Sequence, residues 1–102
     1  MSETGFKRIE IVIEALLARQ VTDILDKAGA TGWTILPVLT GKGHHGVRHG
    51  GDPSGINDTI MIVVIASAAH ADAILARAND ILADRSAVLA VSDVSVIRKD
   101  RF

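Results

Sequence analysis

Along the chain the spacing of apolar residues changes from two to about 3.6 and back, twice over, and this predicts the element order β-α-β-β-α-β. In residues 6–13, Ile9, Ile11 and Ile13 alternate with Arg8, Glu10 and Val12, the period of a strand. Residues 15–28 place Leu17, Val21, Ile24, Leu25 and Ala28 on one stripe while Arg19, Asp23, Asp26 and Lys27 point away, so a helix is expected. Gly29 stands where a helix C-cap glycine belongs. Residues 33–39 read as a second strand; Pro37 lacks a donor and confines it to a sheet edge or a bulge. Residues 59–66 form a continuous apolar run, the pattern of a central strand buried on both faces. A second helix is expected over 67–83, with Ala71, Ile74, Leu75, Ala78, Ile81 and Leu82 as its stripe and Ser67 as its N-cap. The last strand spans 88–97, with Val88, Ala90, Ser92, Val94 and Val96 on one face. Residues 1–5 are expected to fray, and 98–102 form a short basic tail.

Short helices and right-handed crossovers favour an α+β, ferredoxin-like sandwich, one four-stranded antiparallel sheet with both helices on a single face. The 102 residues suffice for one domain with one modest core. The far face of such a sheet carries Ile, Val and Ala and needs a cover, most simply a homo-oligomer packed sheet to sheet.

Residues 40–57 show no periodicity and read as a long loop. The wider stretch 29–53 holds seven of the nine glycines, three of the four histidines, Trp33 and both prolines. Gly41-Lys42-Gly43 followed by Arg48 suits an anion, met by backbone N–H groups and two cations. It equally suits a mobile linker, and it is not a P-loop, which needs Gly-Lys-Ser/Thr opening a helix. His44, His45, His49 and Asp52 could serve a metal or be solvated; adjacent histidines lack the i, i+4 spacing of a preformed site. Thr31 and Trp33 read as a turn residue and a partly buried aromatic, and His70 as an exposed helix residue.

Net charge is −1, with no basic face, so no nucleic-acid partner is expected. With no cysteine there is no disulfide scaffold, zinc ribbon or thiol nucleophile. No nucleophile elbow or close carboxylate pair is visible, so no enzyme is expected. Glu3, Lys7, Arg8 and Glu10 interrupt any leader-like run, and no apolar stretch reaches the ~20 residues of a membrane span. A cytoplasmic protein is the expectation.

Taken together, these segments resemble the PII signalling superfamily from about residue 6 to residue 98. Lys7-Arg8-Ile9-Glu10 resembles the first-strand opening, and Ala28-Gly29-Ala30-Thr31-Gly32-Trp33-Thr34 the Ala-Gly-x-x-Gly-x-Thr turn. The loop at 40–57 stands where the T-loop belongs. Gly41-Lys42-Gly43, Val47-Arg48, Gly51 and Pro53 bring the chain closer to the SbtB-like and carboxysome-associated PII-like branch, implicated in inorganic-carbon acquisition.

The resemblance implies a homotrimer binding adenine nucleotides in the clefts between subunits. Carried over by position, Thr31 and Gly32 line the adenine and ribose side beside Ile65. Gly41, Lys42, Gly43 and Arg48 meet the phosphates, Ala87 and Val88 offer backbone from a shortened B-loop, and Arg98 reaches in from the carboxyl-terminal segment. Binding would order the T-loop for a protein partner, a bicarbonate transporter or an enzyme of carbon metabolism. The B-loop signature Thr-Gly-x-x-Gly-Asp-Gly-Lys is replaced by Ala83-Asp84-Arg85-Ser86-Ala87, which removes a phosphate-binding lysine and favours ADP or AMP over ATP, with cyclic AMP left unranked. With no tyrosine the loop cannot be uridylylated there, and the carboxyl-terminal cysteine pair of the SbtB type is missing. Bicarbonate is the additional small anion the carboxysome-associated relatives suggest. The competing expectation is a CutA-like trimer binding divalent metal through His44, His45 and His49.

Overall fold

The computed structural model describes residues 3–43, 46–49 and 58–102. In chain order these form β1 (Glu3–Glu14), a 3-10 turn (Ala15–Leu17), α1 (Ala18–Lys27), β2 (Thr34–Pro37), β3 (Thr40–Gly43) and β4 (Gly46–His49). Then come β5 (Thr59–Ser67), α2 (Ala68–Leu82), β6 (Val88–Val96) and a closing 3-10 turn (Lys99–Arg101).

Alternation in β1 sets the layering. Ile9, Ile11 and Ile13 stand opposite Val64, Ile62 and Ile60 of β5, in one antiparallel sheet of order β2-β5-β1-β6. The same face receives Leu17, Val21 and Leu25 from the first helical segment and Ala71, Ile74, Ala78 and Leu82 from α2. Both helices therefore lie on one side, which is the ferredoxin-like α+β arrangement. Each fully buried Val, Leu or Ile there contributes about 1.5–3 kcal/mol relative to exposure.

The caps follow the sequence. Gly29 adopts φ +94°, its N–H donates to the Asp26 carbonyl at 3.2 Å, and the Ala30 N–H reaches the Leu25 carbonyl at 3.0 Å. That pair of bonds is a Schellman motif, and it needs the left-handed residue that glycine supplies. The Ser67 hydroxyl accepts from the His70 N–H at 3.3 Å and caps α2. Pro37 lies on the edge strand β2, opposite Ile60, where no ladder partner is needed on its far side.

Three expectations are corrected. The run at 59–66 is central but covered on one face only: Ile62, Val64 and Ala66 are buried while Met61, Val63 and Ile65 are half-buried, because the helices pack on one side. The amino-terminal stretch does not simply fray. Glu3 already pairs with Val96, and one extra residue against β6 makes a bulge around Gly5, at φ +87°. Met1 and Ser2 lie outside the described residues. Finally, part of the segment 40–57 is a ribbon in which Thr40, Gly41, Lys42 and Gly43 stand opposite His49, Arg48, Val47 and Gly46. A ladder joins backbone groups, so a glycine-rich ribbon leaves no side-chain alternation to read. Residues 44, 45 and 50–57 lie outside the described residues.

Candidate functional site

The turn after α1 delivers residues 30–33 to the end of the sheet where β2 begins. Thr34 there stands opposite Val63. Register puts Val63 and Ile65 on the face opposite the buried Ile62 and Val64, the face without helices. From the other edge, β6 ends at Val96 and the chain turns back through Lys99–Arg101. The Phe102 ring meets Phe6 edge to face, with centroids 6.0 Å apart and planes at 63°. The Thr31 hydroxyl donates to the Arg101 carbonyl at 2.8 Å. These elements enclose a groove of about 330 Å³ lined by Thr31, Gly32, Trp33, Thr34, Val63, Ile65, Arg101 and Phe102.

The lining is chemically selective. Val63 and Ile65 give aliphatic surface, Phe102 an aromatic ring, Thr31 and Thr34 hydroxyls, and Arg101 a permanent cation with a planar donor fork. Such a set accommodates a flat apolar ring with polar edges and an anionic substituent. The Trp33 indole N–H donates to the Asp26 carboxylate at 3.1 Å, which anchors this side chain to α1. Gly32 has a negative φ, and a Cβ built on it would meet nothing within 4 Å. The chain's own packing does not require glycine there.

Of the residues expected to bind, Thr31, Gly32 and Ile65 come together in this groove. Arg98 lies just outside it, in an adjoining hollow of about 430 Å³ that shares Arg101 and Phe102. The remainder lie elsewhere. Gly41 and Arg48 stand opposite one another in the β3–β4 ribbon, beside Lys42 and Gly43. Ala87 and Val88 stand at the start of β6, where Val88 pairs with Val12. From Val94, at the groove end of β6, to Val88 is six residues, about 20 Å at ~3.3 Å per residue. The edge strand β2, which the ribbon follows, and the opposite edge strand β6, which Val88 begins, are three strand spacings or roughly 14 Å apart. Within one chain the start of β6 thus stays apart from the groove.

Sequence reasoning passed over Thr34, Val63, Arg101 and Phe102. Val63 was legible as the i−2 neighbour of Ile65, on the same strand face. Arg101 and Phe102 were not, because nothing in a basic tail says which way it folds. His44 and His45 lie outside the described residues, and His49 is placed by its backbone alone, opposite Thr40. Among the described residues no three His, Asp or Glu side chains come together as metal ligands.

A βαββαβ frame with a ribbon between its middle strands and a groove on the uncovered sheet face defines a class that comparison with known proteins makes specific. The family described as Nitrogen regulatory protein P-II matches residues 6–101, and the chain belongs to it. Among solved structures it is similar to CPII, a nitrogen regulatory PII-like protein from Thiomonas intermedia K12, bound to ADP, AMP and bicarbonate. The identity there is 32%, over 95% of this chain and 92% of that one, with a TM-score of 0.87. A PII-like signalling protein from Thermus thermophilus is 26% identical over 98% of both chains, at a TM-score of 0.79. CutA from Synechococcus elongatus PCC7942 shares 9% identity at a TM-score of 0.74, a likeness of fold alone. A comparison with curated protein sequences gives no match.

Proposed function

We propose that this protein is a non-enzymatic signalling protein of the PII-like branch that binds ADP or AMP between neighbouring copies of itself. The observation that carries this reading is the groove. Its aliphatic floor, hydroxyls and arginine suit a purine nucleotide, in a chain 32% identical to a protein whose structure holds ADP, AMP and bicarbonate. Gly32 adds support, since a residue kept small without need in its own chain leaves room for a ligand or a neighbour.

The separation of the candidate residues argues for a site shared between copies. The β6 start with Ala87 and Val88 lies too far from Thr31, Gly32 and Ile65 for one chain to close around one nucleotide. A homotrimer packed through the uncovered sheet faces would join the loop base of one copy to the groove of the next. Bicarbonate would sit beside the nucleotide phosphates, against Lys42 and Arg48. The T-loop at 40–57 would pass the bound state to a cytoplasmic partner in inorganic-carbon acquisition, a bicarbonate transporter or an enzyme of carbon metabolism.

Calorimetry with AMP, ADP, ATP and cyclic AMP, each with and without bicarbonate, tests this on protein whose mass is measured by light scattering. One nucleotide per subunit of a trimer, bound more tightly with bicarbonate, is the expected result. A trimer that binds no nucleotide would limit the family likeness to fold, and a monomer that binds would overturn the shared site.

A further inference from the structure

Thr31, Gly32 and Trp33 of the groove come from the connector between α1 and β2, which belongs to neither helix nor strand. Ladder pairing begins at Thr34, opposite Val63. Up to that point the connector's course is set by its ties to the frame, and one residue makes two of them. The Asp26 carbonyl accepts the Gly29 N–H at 3.2 Å in the turn that ends α1, and its carboxylate accepts the Trp33 indole N–H at 3.1 Å.

Asp26 stands in the last turn of α1, where a carboxylate has little to offer the helix. Aspartate is a weak helix former, and the unpaired carbonyls at a helix C-terminus repel its charge. Its side chain is exposed and forms no part of the core. What the carboxylate does offer is an acceptor for Trp33, and an ionised acceptor makes the stronger kind of hydrogen bond. The indole has one donor and no acceptor, so with that donor taken by Asp26 its remaining surface is apolar. Trp33 is 40% exposed and lines the groove, which leaves part of that ring surface within reach of an occupant.

We propose that Asp26, which does not itself line the groove, is a positioning residue of the site: it fixes the Trp33 ring as one wall before an occupant arrives. Resting on the nucleotide reading above, this adds a residue through which the affinity of that site is set. The physical argument is preorganisation. A side chain already held in the bound geometry need not be ordered on binding, whereas one left free must be, and affinity falls. Asp26 acts without touching the ligand, so its effect passes through Trp33.

Trp33 is the chain's one tryptophan, so its fluorescence reports on this anchor alone. The test compares the full-length wild type with Asp26→Ala, Asp26→Asn, Trp33→Phe and the double variant of Asp26→Ala with Trp33→Phe. Without ligand, Asp26→Ala should raise acrylamide quenching of Trp33 and lower its anisotropy, with Asp26→Asn, which keeps an oxygen acceptor, between the two. In calorimetry Asp26→Ala should weaken AMP binding about three- to tenfold, the cost of ordering one freed side chain. In the Trp33→Phe background, which keeps a ring but has no N–H, Asp26→Ala should change AMP affinity less than about twofold, because the pair acts as a unit. The same loss in both backgrounds would overturn the positioning role, since Asp26 would then act without Trp33. Unchanged ligand-free quenching in Asp26→Ala would overturn the anchor. Unchanged AMP affinity in Asp26→Ala, beside a wild type that binds AMP, would overturn the positioning role and leave nucleotide binding intact. If the wild type binds no AMP, the functional reading and the positioning role fall together, and the quenching still decides the anchor.

Discussion

Ile11 and Val12 are neighbours in β1, yet one is fully buried and the other half-buried, and this contrast extends across the sheet. On the helix side Ile9, Ile11, Ile13, Ile62 and Val64 are shut away from water by a single chain. On the other side Val12, Met61, Val63 and Ile65 are half-buried, beside an Arg8–Glu10 ion pair, and Val88 is 48% exposed. The groove, with Phe102 against Phe6, is on that second side. One face is finished by intrachain packing and holds the fold; the other keeps apolar surface and polar groups in reach of something outside the chain. Exposed apolar surface of that kind marks where partners or ligands bind.

The largest effect should come from testing adjacent residues on the two faces. Ile11→Ala removes a fully buried side chain and should cost about 2–5 kcal/mol, seen as a lower urea midpoint with little change in slope. Val12→Ala in dilute, monomeric protein should cost under about 1 kcal/mol, because water already reaches that side chain. Equal losses for the two would remove the distinction between faces.

A smaller effect probes how the covered side is closed. Gly29→Ala forces a side chain into φ +94° and brings its Cβ to 3.0 Å from the His70 imidazole. A left-handed residue other than glycine costs about 1–2 kcal/mol, and thermal unfolding should register that loss. His70→Ala in the same background should return the steric part and leave the backbone part. Full recovery would mean that the contact, and not the turn, demands glycine.

The covered face was readable in the sequence because periodicity reports it directly. Of the stripe Leu17, Val21, Ile24, Leu25 and Ala28 all but the half-buried Ile24 belong to the core, as does the alternation of Ile9, Ile11 and Ile13. Cap chemistry at Gly29 and Ser67 and the edge position of Pro37 were equally legible, since each follows from what one residue can or cannot do. The open face was legible as an apolar surface that needs a cover, but not what covers it, because period-2 alternation cannot show whether the second face of β5 meets helix, solvent or another copy. Of the expected nucleotide-binding residues, Thr31, Gly32 and Ile65 line one groove. Arg101 and Phe102 line that groove too and share the adjoining hollow with Arg98; a five-residue tail has no pattern from which its path could be read. The ribbon was hidden for a related reason: its register lives in backbone bonds, and Gly41, Gly43 and Gly46 leave no side-chain alternation to read.

The smallest predicted effects sharpen the contrast most. An ion pair stands on each face: Lys7 with Asp93, across strands on the helix side, and Arg8 with Glu10, two residues apart on the open side at 3.1 Å. Both are solvent-accessible in one chain, and exposed pairs are worth about 0–1 kcal/mol. In dilute, monomeric protein Asp93→Asn and Glu10→Gln should therefore each shift stability by less than about 0.5 kcal/mol. Raising the protein concentration separates them. If a second copy covers the open face, Glu10 leaves water, and its loss strands the Arg8 charge in the interface, where breaking a buried pair costs about 3–5 kcal/mol. Glu10→Gln should then weaken self-association strongly in sedimentation equilibrium, while Asp93→Asn, at the rim of the helix side, should leave it unchanged. Parallel behaviour of the two variants at every concentration would mean that the open face stays in solvent and that the groove is complete within one chain.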